Sequence, residues 1–147
     1  MKRGFRFAET MSGTYTRRGN GSQARRFAFT AEARAGSMLR HLRDGKTTLR
    51  GTLEADGLAS GVPIEGTLTL LPFRKRIIRY EFDFVGDDGK PYRFAGQKDI
   101  KLTDPVGSFT ILPGVVTDAA GNAVADVQTR FDLQADWFQF MASWRPA

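Results

Sequence analysis

The sequence predicts an all-β chain: a single up-and-down antiparallel β-barrel of about eight strands, with one or two short helices. Three observations point there. Apolar and polar residues alternate with a period of two through most of the chain, as in half-buried strands. Clusters of Gly, Asn, Asp and Pro interrupt that alternation at intervals of roughly 10–17 residues. No segment is long enough to supply the crossover helix that parallel strands require. Sequential antiparallel strands with one apolar face each lose their exposed edges by closing into a barrel. A barrel near eight strands holds packed side chains or one small ligand. A two-sheet sandwich is the alternative.

The elements follow in order. Phe5, Phe7, Glu9 and Met11 share one face of the first run, and Arg17–Ser22 breaks it with glycines that accept positive φ. Phe27, Phe29, Ala31 and Ala33 share a face of the second. Ser37 then suits a helix N-cap, Met38, Leu39 and Leu42 form a helical stripe, and Gly45 ends it. Such a helix is too short to stand alone and must pack on something. Thr47, Leu49, Gly51, Leu53 and Ala55 make a third run, and a connection from Asp56 to Pro63 precedes a fourth, Ile64, Gly66, Leu68 and Leu70. Pro72 and Arg74-Lys75-Arg76 mark a bend. Ile78, Tyr80, Phe82 and Phe84 form the clearest strand, and Gly86–Lys90 reads as a hairpin into Tyr92, Phe94, Gly96, Lys98 and Ile100. A seventh strand holds Phe109, Ile111, Val115 and Val116, with Pro113-Gly114 as an interruption. After Ala120-Gly121-Asn122, Val127, Thr129, Phe131 and Leu133 make an eighth. Asp136–Ala142 suggests a short helix and Trp144 a last short strand.

The chain has 147 residues, 41% of them hydrophobic, which suits one domain over residues 1–147 with a core that needs no staple. Zero cysteines exclude disulfides, thiolate metal sites and thiol catalysis, and a single histidine excludes multi-histidine metal centres. The N-terminus starts basic but lacks a continuous apolar stretch, and no run reaches the length of a membrane span, so a cytoplasmic location is expected. The net charge of +6 is uneven: +10 before Tyr80 and −4 from Tyr80 onward. The basic clusters abut expected turns and no nucleic-acid motif accompanies them, so solvated hairpin ends are expected, not a nucleic-acid surface.

Two motif-like stretches fail on context. Gly19-Asn20-Gly21-Ser22-Gln23-Ala24 lacks the following helix of a dinucleotide site, and Asp87-Asp88-Gly89 lacks the spaced ligands of a calcium loop. His41 lies between Arg40 and Arg43 and reads as a surface or helix-face residue, not a catalytic base. Glu9 and Lys98 are more informative, because each stands on an otherwise apolar face. Either these are strand-end positions near solvent, or they form the polar end of an apolar pocket that orients a ligand. Tyr80 and Tyr92 add hydroxyl groups to those faces. Phe27, Phe29, Tyr80, Phe82, Phe84 and Phe94 either line such a pocket or form plain core. Gly51, Gly66 and Gly96 share the inward faces and either make room inside or relieve strain at barrel corners.

Phe7-Ala8-Glu9-Thr10-Met11-Ser12-Gly13 has the form F-x-E-x-M-x-G, and together with Ile78–Phe82, Asp88–Tyr92 and Gly96-Gln97-Lys98 it resembles a small bacterial β-domain found beside GMC-type, cholesterol-oxidase-like flavoproteins. The chain lacks a flavin-binding fingerprint, so the resemblance implies a stand-alone or accessory domain near sterol or lipid oxidation, with a flavoprotein oxidoreductase as partner. The expected architecture is also lipocalin-like (calycin-like). The leading functional expectation is a binding domain for a small apolar ligand of the lipid or sterol class. Its candidate ligand-contacting residues are Glu9, Phe29, Tyr80, Phe82, Phe84, Tyr92, Phe94 and Lys98, with no cofactor and no metal. An interaction module for an oxidoreductase and a barrel-type isomerase or cyclase are the alternatives. Self-association of the oppositely charged faces would give a homo-oligomer.

Overall fold

A computed structural model of the chain describes residues 5–19, 23–35, 46–71, 77–99, 101, 103–104, 110–131 and 145–146. The strands are β1 (Phe5–Arg17), β2 (Arg25–Ala35), β3 (Lys46–Ala55), β4 (Ala59–Leu71), β5 (Ile77–Val85), β6 (Pro91–Asp99), β7 (Ile111–Asp118), β8 (Ala123–Arg130) and the short β9 (Arg145–Pro146). Each of β2 to β7 pairs antiparallel with the next strand in sequence, and β1 pairs antiparallel with both β2 and β8. The result is the closed, eight-stranded, up-and-down antiparallel barrel that the alternation predicts. Closure falls to β1, which pairs with β2 over Phe5–Tyr15 and with β8 over Ser12–Arg17. β9 extends the free edge of β1 at Phe5 and Arg6.

The alternation translates directly into an inside and an outside. Along β6 every even-numbered residue from Tyr92 to Lys98 is buried, and along β5 Tyr80, Phe82 and Phe84 are buried. The outer faces carry cross-strand charge pairs: Arg93 with Asp83 at 2.9 Å, Arg50 with Glu65 at 3.3 Å, and Arg18 with Asp126 at 2.8 Å. Being exposed, each contributes little to stability. An apolar interior and a charged exterior invert the polarity of a membrane-spanning barrel.

Aromatic rings fill the middle of the barrel. Phe94 stacks on Phe82 at 4.8 Å and on Phe27 at 5.7 Å, and Phe29 stands edge-on to Phe82 at 5.2 Å. Such offset and edge-to-face pairs add about 0.5–1.5 kcal/mol each beyond area burial. Gly96 and Gly114 face each other across β6 and β7, and the Phe94 ring lies over both, its atoms 2.5–3.0 Å from where a Cβ on either would stand. These glycines admit the ring and do not leave a void.

Gly51 and Gly66 act differently. A Cβ on Gly66 would stand 1.8 Å from the Glu81 carbonyl oxygen of β5, and one on Gly51 equally close to that of Thr30 in β2. Neighbouring backbones approach here more closely than any side chain permits, which lets the strands bend around the barrel. Gly66→Ala is therefore expected to destabilise by about 1–3 kcal/mol through a forced separation of β4 from β5. Chemical denaturation measures this, with Glu65→Ala, an exposed neighbour on the same strand, as the comparison.

The two ends of the barrel differ. At one, the connections are short turns: Asp56–Leu58 between β3 and β4, Gly86–Lys90 between β5 and β6, and Ala119–Asn122 between β7 and β8. Gly89 (φ 78°) and Gly121 (φ 86°) take left-handed conformations at the hairpin tips. Bonds between hairpins lace this end together. Asp87 N donates to Leu58 O at 2.8 Å, Ser60 donates through N and Oγ to the Asp87 carboxylate, and the Tyr15 hydroxyl donates to the Asp56 carbonyl. From the opposite end leave the connections between β2 and β3, β4 and β5, and β6 and β7.

Two elements differ from expectation. β4 starts at Ala59 after a tight turn, so Gly61 and Pro63 lie within a strand. Pro63 is accommodated because the β4–β5 ladder begins only at Glu65. β7 runs unbroken through Pro113-Gly114, with Leu112 and Val116 as its buried residues and Ile111 and Val115 half-buried. The β6–β7 ladder ends at Gly96 and Gly114, just short of Pro113. Among the described residues only Thr110 is helical. The expected helices at 37–45 and 136–142 lie outside them, as do His41, Arg40, Arg43, Arg74-Lys75-Arg76, Ile100, Phe109, Leu133 and Trp144.

Candidate functional site

Three of the residues singled out by the sequence meet inside the barrel. Glu9 comes from β1, Tyr80 from β5 and Lys98 from β6. β1 and β5 stand on opposite walls of an eight-stranded ring, so contact between them has to cross the interior. The Tyr80 hydroxyl donates to Glu9 Oε1, and Lys98 Nζ donates to Tyr80 Oη at 3.2 Å. The relative exposures are 7% for Glu9, 2% for Tyr80 and 1% for Lys98. Small residues stand beside the large ones in the ladders. Ala31 lies opposite Glu9 and Gly96 opposite Tyr80.

Burial dictates the electrostatics. Removal from water pushes the Tyr80 hydroxyl well above its ordinary range, and the neighbouring Glu9 charge and hydrogen bond push the same way. Removal from water also lowers Lys98 from the ordinary 10.5, and the attraction of Glu9 only partly opposes this. The ammonium stands 5.2 Å from the centre of the Tyr80 ring, a further cation–π attraction. One acid, one phenol and one amine are thus joined in a chain of donors that ends on the carboxylate.

Two more polar groups share these inward faces. Thr47 of β3 is buried, and its Oγ1 has no hydrogen-bond partner among the described residues. Thr129 of β8 is buried and donates to Leu112 O at 3.4 Å. Sequence reasoning placed both on inward faces without marking them as site residues. The available signal was a hydroxyl in an apolar register, which is weak because threonine is a common strand residue.

The remaining candidates spread along the barrel axis. Phe29 packs against Tyr80 at 6.0 Å and forms the floor of the polar cluster. Phe82 and Phe94 lie in the central ring stack. Phe84 and Tyr92 stack on each other at 5.6 Å near the laced end, away from Glu9 and Lys98. There the Tyr92 hydroxyl donates to Asp88 at 2.6 Å, which holds the exposed carboxyl below its usual range and raises the phenol.

The polar cluster lies in the half of the barrel from which the longer connections leave: Ile78 pairs with Lys98 near the start of β5, whereas Phe84 pairs with Tyr92 beside the hairpin. An open cleft of about 580 Å³ lies outside the same half, where β6 and β7 part, and its walls include Arg79, Gln97, Asp99 and Pro113. Lys98 is flanked in sequence by two of these residues while its own side chain points inward. Comparison with known proteins finds no matching family model, no matching curated protein and no matching solved structure.

Proposed function

We propose that the chain is a lipocalin-like (calycin-like) binding domain for a small, apolar, uncharged ligand with one polar end, held where Glu9, Tyr80 and Lys98 meet. The observation that carries this reading is the buried donor chain from Lys98 through Tyr80 to Glu9 inside an otherwise apolar barrel. Apolar surface supplies the affinity, about 25 cal/mol per Å² removed from water. Placed polar groups supply orientation. The unpartnered Thr47 hydroxyl supports the same reading, because a buried polar atom without a partner is costly and a ligand hydroxyl or carbonyl would complete it.

Charge bookkeeping narrows the ligand. Glu9 and Lys98 neutralise one another, so an incoming carboxylate or ammonium would be buried without a counter-charge. Alcohols, ketones and aldehydes fit and fatty-acid anions do not. The stacked Phe27, Phe82 and Phe94 rings close the interior toward the laced end, which favours a ligand whose apolar body extends toward the end from which the longer connections leave.

Thermal unfolding with a panel of decanol, a cyclic terpenoid ketone, a sterol and decanoate tests this. A ligand at a hundredfold its dissociation constant adds about 2.7 kcal/mol, a melting shift of several degrees. Saturable shifts with the neutral compounds and little or none with decanoate are expected. Absence of saturable binding by every neutral compound would sink the reading.

A further inference from the structure

We infer that Lys98 is a carbonyl-capturing residue: its amine, held against Tyr80 and Glu9, forms an imine with an aldehyde or ketone at the polar end of the bound ligand. This rests on the binding reading above and narrows its ligand to a carbonyl compound.

The geometry supplies each part that imine formation needs. Lys98 is an amine inside an apolar enclosure at 1% exposure. Desolvation shifts it toward the neutral form, whose lone pair is the nucleophile. Tyr80 Oη at 3.2 Å touches the nitrogen, and its own proton points at Glu9 Oε1. A proton can therefore pass between nitrogen, phenol and carboxylate without bulk water.

The step balances without an oxidant or reductant. The lone pair of Nζ attacks the carbonyl carbon and forms the C–N bond, while the carbonyl π electrons move to oxygen. One N–H proton is relayed through Tyr80 to that oxygen, giving a carbinolamine. The hydroxyl then leaves with the second amine proton as water, and the C=N bond forms. One aldehyde and one amine give one imine and one water. The surrounding rings, Phe29 foremost, hold the ligand's apolar body and keep water away from the imine.

The test incubates the intact chain with decanal, traps with borohydride and maps the labelled peptide. The expected result is one stoichiometric adduct on Lys98, prevented by excess decanol. Lys98→Arg keeps the charge and a donor but cannot form an imine, so it is expected to fold and to lose the adduct. Tyr80→Phe is expected to slow trapping on the order of 100-fold without changing the final stoichiometry. Label spread over Lys46, Lys90, Lys101 and the N-terminus, with none preferring Lys98, overturns the inference. If decanol still binds saturably in that case, the binding reading stands alone. If decanol does not bind either, both fall.

Discussion

Replacing Phe94 with alanine is expected to destabilise the barrel by about 3–5 kcal/mol. The side chain is fully buried and lies at the junction of three rings, Phe27, Phe29 and Phe82, with centroid separations of 5.7, 5.8 and 4.8 Å. It also covers the facing Gly96 and Gly114, where β6 and β7 have no side chains of their own. Truncation therefore removes the ring and strips the interior cover from a glycine pair, and the rigid β-ladders on both sides hinder collapse of the cavity. Phe94→Leu, which retains most of the volume, is expected to cost less than about 1.5 kcal/mol. Urea unfolding of both variants measures the difference. A Phe94→Ala cost below 1 kcal/mol would mean a loosely filled interior, with room for a much larger ligand than the ring stack now allows.

The same residues show how far the sequence is legible. Alternation placed Phe94, Gly96 and Lys98 on one face, because a period of two is all that a strand needs to separate its sides. It also exposed Glu9 and Lys98 as exceptions on apolar faces. That these two groups are linked through Tyr80 was not readable. Their approach depends on the ring closing so that β1 faces β5, and no local pattern encodes which strands end up opposite. Depth along the axis was equally hidden. Tyr92 and Lys98 share a face of β6, yet one hydroxyl meets Asp88 at the hairpin end and the other group meets Tyr80 far from it. In the sequence Pro113 reads as a break, because proline cannot donate to a ladder. Whether that matters depends on which neighbour is present, and the β6–β7 ladder ends at Gly114. The glycines were visible as inward positions. Their two roles, backbone approach at Gly51 and Gly66 and ring cover at Gly96 and Gly114, required the adjoining strand.

Glu9→Ala is expected to cost about 3–5 kcal/mol near neutral pH, the usual consequence of removing one member of a buried charged pair. It leaves the Tyr80 hydroxyl without its acceptor and Lys98 without the carboxylate that offsets its desolvation. The effect depends on pH in a defined direction. Lys98 has a lowered folded-state pKa, so the unfolded chain binds more protons between that value and the ordinary 10.5, and stability contributed by Lys98 rises with pH through this window. Tyr80 has a raised folded-state pKa, so above the ordinary 10.0 the folded chain holds the extra proton and stability falls as pH rises further. Removing Glu9 lowers Lys98 further, which starts the Lys98 rise at a lower pH, and weakens the Tyr80 effect on the alkaline side. Lys98→Met in the Glu9→Ala background removes the buried amine as well, and the double variant is expected to regain part of the loss, with a coupling of about 0.5–3 kcal/mol. Denaturation curves at several pH values, taken around the full double-mutant cycle, read all of these quantities. Strict additivity at neutral pH would show that Glu9 and Lys98 do not act as a pair, and an unchanged pH profile in Glu9→Ala would show that the carboxylate does not set the titration of either neighbour.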